Sequence, residues 1–191
     1  MPRIAPAPPR PDLHVARRRL PARCLIGMLA GWFGVAAAAD LASEAAIKAA
    51  FVYNFAKFVE WQSEPAGSTG EVRVCVAGVD SELSGTVAAL EGRPVQSRSV
   101  SVKRDVKASD IDGCHILLVG ANAKPVADAA RGRPGILSIS DVRGFAASGG
   151  VIELFNDEGK IRFEINPRAA QKAGLKVSSQ ILKLARITPD Q

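Results

Sequence analysis

The sequence predicts an α/β fold: a mostly parallel central sheet with flanking helices, a C-terminal antiparallel hairpin and two terminal helices. Short apolar segments, long enough for buried strands, alternate with short helical segments, the pattern that produces crossover connections between parallel strands. These segments are 71–78, 114–120 and 135–140. Residues 151–155 and 160–165 then flank Asn156-Asp157-Glu158-Gly159, a sequence typical of a hairpin turn.

The first predicted helix covers residues 43–62 and is apolar on both sides. Residues at helical spacing form one face, which is Ile47, Phe51, Asn54, Phe55 and Phe58. The opposite face carries Ala49, Val52, Tyr53, Ala56 and Val59. Such a helix is either buried in the core or leaves a patch for a partner, and we interpret it as buried.

Between this helix and the hairpin, the elements follow from caps and apolar runs. Asp80 is positioned to cap a helix that extends to about Leu90, and residues 95–103 alternate weakly, as a strand with one solvated face does. A further helix is expected from Pro125 to about Ala130, between the predicted strands at 114–120 and 135–140.

After the hairpin, two helices are predicted. Asn166 and Pro167 form a cap with proline at the first helical position, and Gly174 ends that helix after Ala173. Ser178 or Ser179 begins a last helix that is expected to continue through residue 187, and its apolar stripe is Ile181, Leu182 and Ala185.

The first 39 residues resemble a secretory signal peptide. They carry six arginines and one acidic residue, then an apolar run at 24–35 and four alanines at 36–39 that suit a cleavage site. The 16 residues from 24 to 39 are fewer than the ~20 that span a bilayer, although a retained membrane anchor is the alternative. We therefore predict a signal peptide over 1–39, and a single domain over 40–191.

The charge distribution argues against nucleic acid as a partner. The chain has 191 residues and a formal net charge of +6. Removing residues 1–39 leaves 19 basic and 18 acidic residues, so the basic character belongs to the leader and not to the domain.

The remaining domain has two cysteines, Cys75 and Cys114. In an exported protein an even number of cysteines indicates a disulfide, and the two strands that carry them are plausible neighbours in the sheet. Two separate buried thiols are the alternative.

No catalytic, cofactor or metal motif is found in the sequence. His115 is the one histidine of the domain, and at the start of an apolar strand it is better explained as a hydrogen-bonded structural residue than as a ligand or base. There is no glycine-rich phosphate loop and no nucleophile elbow. We therefore expect no enzyme activity, no metal and no cofactor.

Three stretches carry a family resemblance. They are KAAFVYNFAKFVEW at 48–61, IRFEIN at 161–166 and AGLKVSSQILKLA at 173–185. Together they resemble the YfiR family of periplasmic proteins, over nearly the whole chain after residue 39. The resemblance implies a periplasmic repressor of an inner-membrane diguanylate cyclase, which controls cyclic di-GMP and biofilm formation, and an outer-membrane OmpA-like lipoprotein that relieves the repression. It also agrees with a Cys75–Cys114 disulfide.

Several functional hypotheses follow. The main one is a non-catalytic regulator that binds and represses an inner-membrane signalling protein, and a homodimer is compatible with it. The alternatives are an accessory or ligand-sensing protein for a histidine kinase or a TonB-type uptake system, and an envelope enzyme that sequence motifs do not reveal. A docking surface needs an apolar patch with a polar rim. The candidate partner-binding residues are Ile152, Leu154, Phe155, Lys183 and Arg186, although core packing also explains the apolar ones.

Overall fold

The computed structural model describes residues 42–62, 64–65 and 70–188, all within the unit Asp40–Gln191. The predicted signal peptide lies outside these residues. The helices described are α1 Glu44–Phe58, α2 Ser81–Ala88, α3 Lys124–Ala130, α4 Pro167–Lys172 and α5 Ser179–Leu182, with 3₁₀ turns at Ala108–Asp110 and Ala121–Ala123. The strands described are β1 Val59–Trp61, β2 Glu71–Ala77, β3 Pro94–Val95, β4 Arg98–Lys103, β5 Ile116–Val119, β6 Leu137–Ser140, β7 Ile152–Asp157, β8 Lys160–Ile165, β9 Leu175–Val177 and β10 Arg186–Ile187.

The main sheet has eight strands in the order β10-β8-β7-β6-β5-β2-β4-β3. Its centre, from β7 to β4, is parallel throughout, while β7 and β8 form the antiparallel hairpin and β3 pairs antiparallel with β4. A second, two-stranded antiparallel sheet joins β1 to β9. The predicted α/β class, the mostly parallel sheet and the hairpin are confirmed.

Both faces of the sheet are covered by helices. Strand β5 shows this directly, because Ile116 and Leu118 belong to one core cluster and Leu117 and Val119 to another. Helices α1 and α2 pack on the first face and α3 on the second. The continuous apolar sequence of β5 reflects this double burial. Strand β6 is buried as well, and the hydroxyls of its Ser138 and Ser140 are hydrogen-bonded.

The disulfide joins two adjacent strands. Cys75 lies in β2 and Cys114 just before β5, its parallel neighbour, with 5.8 Å between the two Cα atoms. Both cysteines are completely buried among the side chains that α3 covers. The bond therefore cross-links two central strands of the sheet on the face that α3 covers.

The predicted caps are confirmed where the structure tests them. Asp80 accepts a hydrogen bond from the Leu83 N–H at 2.8 Å, and Asn166 accepts one from the Ala169 N–H at 2.9 Å. Gly174 follows α4 with a φ of +67°, a conformation that favours glycine.

Three predicted element boundaries are wrong. Helix α1 ends at Phe58, not at residue 62, because residues 59–61 form β1 against β9. The expected strand 95–103 is a hairpin of β3 and β4 that turns at residues 96–97. The last helix ends at Leu182, because β10 pairs with β8.

The prediction that α1 is buried is confirmed. Ala49, Val52 and Ala56 of one face and Phe55 of the other are buried, whereas Ile47 and Phe51 are partly buried. Both faces are apolar because both have neighbours to pack against.

Candidate partner-binding surface

Two of the five predicted partner-binding residues are core residues. Ile152 and Leu154 lie in β7, between β6 and β8, and both are completely buried. The expectation that they are available to a partner is corrected, because β7 is an interior strand and both side chains belong to the core cluster beneath α1 and α2. Phe155, Lys183 and Arg186 are at least partly exposed.

Phe155 and Arg186 come together although 31 positions separate them in the sequence. Arg186 lies in β10, and its guanidinium carbon is 4.4 Å from the centre of the Phe155 ring. A cation stacked on an aromatic face is attracted by the ring quadrupole. The pair spans β8, which lies between the strands that carry the two residues.

Strand β10 is short but fixed at its end. Thr188 is buried, its N–H donates to the Ile165 carbonyl oxygen at 2.9 Å and its hydroxyl donates to Glu164 Oε1 at 2.8 Å. These bonds hold the segment after α5 against β8. The outer edge of β10 is the end of the strand order in this sheet.

The segment from 183 to 187 contains two of the three exposed large apolar side chains among the described residues. Leu184 is 72% exposed and Ile187 46% exposed, and the third is Val142 at 37%. A cleft of about 260 Å³ lies beside Leu184, and its other lining residues are Phe155, Asp157, Arg162, Phe163, Ala185 and Arg186. We name Phe155, Lys183, Leu184, Arg186 and Ile187 the β10 edge surface.

Charge at the β10 edge surface is predominantly positive. Arg162 Nε is 2.8 Å from Asp157 Oδ2, so that cation is paired within the hairpin. Along the chain, Lys183 and Arg186 alternate with the exposed Leu184 and Ile187. The segment from 183 to 187 thus exposes both apolar and cationic side chains, which protein-binding surfaces also combine.

Leu184 and Ile187 were not among the predicted partner-binding residues. If the last helix continued to residue 187, as predicted, residues 183–187 would be helical and would pack on the core. The Ile187-Thr188-Pro189 ending was the available signal, because β-branched residues followed by proline favour an extended chain.

The second charged cluster surrounds His115 and is structural. His115 Nδ1 accepts a hydrogen bond from the Arg73 N–H at 3.1 Å, so the ring proton lies on Nε2, which donates to Glu64 Oε2 at 2.8 Å. Arg98 donates to the same carboxylate at 3.1 Å, and the ring of Trp61 packs edge-on to the imidazole. The predicted hydrogen bonding of His115 is confirmed.

The pKa of His115 is lowered, chiefly because burial disfavours the imidazolium ion, while the hydrogen bond to Glu64 opposes this shift. Protonation would also place a hydrogen on Nδ1 and break the bond from Arg73. His115 is therefore neutral at pH 7.

The described residues contain no group of three or more His, Cys, Asp or Glu side chains that is arranged to hold a metal. Over the same part of the chain, no helix has both the length and the hydropathy to cross a membrane.

A family model described as DUF4154, YfiR/HmsC-like, matches residues 45–186. The chain belongs to the YfiR/HmsC-like family. Proteins of this family are generally non-catalytic regulators, and membership identifies this chain as a YfiR-like regulatory protein. The matched segment includes the disulfide and all of the β10 edge surface except Ile187.

Solved structures show more distant likenesses to this YfiR/HmsC-like chain. The ABC domain of Streptococcus pneumonia in complex with L-Trp is 9% identical, with 62% of this chain and 56% of that chain covered and a TM-score of 0.41. A conserved domain protein of Vibrio cholerae is 12% identical, with 77% and 60% covered and a TM-score of 0.43. The chain thus spans less than two thirds of either structure. A search of curated proteins finds no significant match.

Proposed function

We propose that this protein is a non-catalytic periplasmic regulator that binds and represses an inner-membrane signalling protein, most specifically a diguanylate cyclase. The observation that carries the proposal is membership of the YfiR/HmsC-like family over residues 45–186. The buried disulfide supports an oxidising compartment, and the leader pattern at 1–39 supports export to it.

The β10 edge surface supplies the contact in this proposal. Leu184 and Ile187 present apolar area to solvent, and Lys183 and Arg186, next to them in the sequence, are also exposed. Burying these side chains against a periplasmic domain is favourable by the hydrophobic effect. An apolar and acidic segment is the partner chemistry that this surface fits best.

The same surface offers a route to relief of repression. An OmpA-like outer-membrane lipoprotein that bound the β10 edge surface would compete with the inner-membrane partner for the same side chains. A homodimer through this edge would also occupy it, and would make repression depend on protein concentration.

Gene deletion tests the proposed output. Loss of the chain is expected to raise cellular cyclic di-GMP and surface attachment, because the cyclase is no longer repressed. A copy of the full chain restores both to the original level, whereas a copy that lacks residues 1–39 does not, because it stays on the wrong side of the inner membrane.

Unchanged cyclic di-GMP after deletion, with the partner cyclase expressed, would contradict the cyclase proposal. Regulation of a histidine kinase or of a TonB-type receptor would then be the surviving alternatives. Each predicts a change in its own output, either target-gene transcription or substrate uptake.

A further inference from the structure

A cavity of about 200 Å³ lies at the carboxyl ends of β5 and β6, separated from β10 by β7 and β8. Its apolar wall includes Val119, Ala127 and Phe145, all buried residues of the second core cluster. At its base, the Ser140 hydroxyl donates to the Val119 carbonyl oxygen at 2.6 Å and accepts from the Val142 N–H at 3.1 Å. These bonds tie together the strand ends that form the cavity.

Its position is one strand away from the usual ligand crevice of this architecture. Open parallel sheets bind ligands at the carboxyl ends of strands where the connections diverge to the two sides, here between β2 and β5. Gly78 and Gly120 close that crevice, since a Cβ on Gly120 would overlap the Gly78 backbone. The cavity lies instead at the next position along the sheet, between the carboxyl ends of β5 and β6.

The loop between β6 and β7 builds the outer wall. Phe145 is 94% buried, and its ring lies directly over Gly150, where any side chain would overlap it. The Gly150 N–H also donates to the Phe145 carbonyl oxygen at 2.9 Å. The wall is therefore fixed by packing and by backbone hydrogen bonding.

Three cations and no acidic side chain line this cavity: Lys124, Arg131 and Arg143. Lys124 and Arg131 share one carboxylate nearby, Asp128, at 2.7 and 3.2 Å. Arg143 makes no ion pair or hydrogen bond with any residue in the described part of the chain. The cavity lining thus has more cationic than acidic side chains, and Arg143 also borders a neighbouring cleft that contains Glu44, Asp141 and Glu153.

We propose that this cavity binds a small amphipathic carboxylate, with its apolar body against Ala127 and Phe145 and its carboxylate paired with Arg143. The apolar wall selects for a hydrophobic body, and a planar guanidinium matches a carboxylate with two parallel hydrogen bonds. This site is independent of the β10 edge surface and does not rest on the regulatory proposal.

Titration with phenylacetate, followed by NMR of the backbone amides, tests the site. The largest shifts are expected at residues 120–124 and 143–148, which surround the cavity. Phenylacetamide, which has the same shape without the charge, and phenethylamine, which carries the opposite charge, should each bind at least about tenfold more weakly.

Arg143→Gln should weaken phenylacetate binding by at least about tenfold, because glutamine cannot make the two charge-assisted hydrogen bonds of the guanidinium. The matched control is Arg104→Gln, an exposed arginine after β4 on the far side of β2, which should change affinity less than twofold. Equal binding of phenylacetate and phenylacetamide would overturn the proposal. Shifts centred elsewhere in the protein, or no binding at millimolar phenylacetate, would also overturn it.

Discussion

At the scale of single residues, His115 links the start of β5 to two neighbouring segments. Its imidazole is completely buried, accepts a hydrogen bond from the Arg73 backbone and donates one to Glu64. The facing charges are Glu64, Arg98 and Arg73, and the two arginines reinforce the lowered pKa that burial produces. A neutral histidine is thus part of the folded structure.

The lowered pKa predicts a pH dependence of stability. In the unfolded chain His115 takes up a proton near pH 6.5, whereas the folded protein resists protonation, so the free energy of unfolding falls as pH drops below about 6.5. Urea unfolding between pH 7.5 and 5 should show a steeper decline for the wild type than for His115→Gln. Parallel pH profiles of the two proteins would contradict this account of His115.

The disulfide gives a second prediction at this scale. Cys75 and Cys114 are separated by 39 positions, and closing a loop of that length stabilises the folded state by about 4 kcal/mol in the chain-entropy model. The double variant Cys75→Ala/Cys114→Ala should therefore unfold at a clearly lower urea concentration than the wild type. Mass spectrometry of the native protein should identify a linked peptide pair, and alkylation of both thiols without reductant would contradict the bond.

At the scale of secondary-structure elements, Lys48 joins α1 to the loop after β6. Its ammonium lies 2.8 Å from Glu44 and 2.7 Å from Asp141, and the residue is buried. Burial opposes its charge, but hydrogen bonds to Asp141 and Glu44 outweigh burial and raise the pKa of Lys48. The interaction fixes α1 at the carboxyl edge of the sheet.

Removing this ammonium should destabilise the protein. Lys48→Met leaves Asp141, which is mostly buried, without its cation, and we expect a loss of about 1–3 kcal/mol. Lys172→Met, an exposed lysine at the end of α4, is the matched control and should change the free energy of unfolding by less than about 0.5 kcal/mol. Similar urea midpoints for both variants would show that Lys48 does not position α1.

The elements that the sequence predicted well are those whose signal is local. Strand β5 is a continuous apolar run, and the start and end of α4 are marked by Asn166 and Gly174. The errors fall where a distant segment decides the structure: β1 needs β9, and β10 needs β8. The meeting of Arg186 with Phe155 depends on that second pairing, which is why only part of the β10 edge surface could be predicted.

At the scale of the whole molecule, the fold separates two kinds of surface. The parallel centre of the sheet is covered by helices on both faces, whereas its β10 edge keeps Leu184 and Ile187 exposed. The fold class followed from the sequence, but strand order did not, because strands are added on both sides of β2: first β3 and β4 on one side, then β5 to β8 on the other. The family resemblance indicated a regulator, but it did not indicate which edge of the sheet contacts the partner.

Cyclic di-GMP in a deletion strain carrying Leu184→Glu tests the central claim most directly. Leu184 is 72% exposed, so the variant should fold and accumulate normally. A carboxylate in place of this apolar side chain should nevertheless disrupt partner binding. The control is Ala89→Glu, an exposed residue after α2 near the opposite edge of the sheet. We predict that wild type and Ala89→Glu restore low cyclic di-GMP, whereas Leu184→Glu at equal periplasmic abundance leaves it high. Full repression by Leu184→Glu would contradict a regulator that acts through the β10 edge surface.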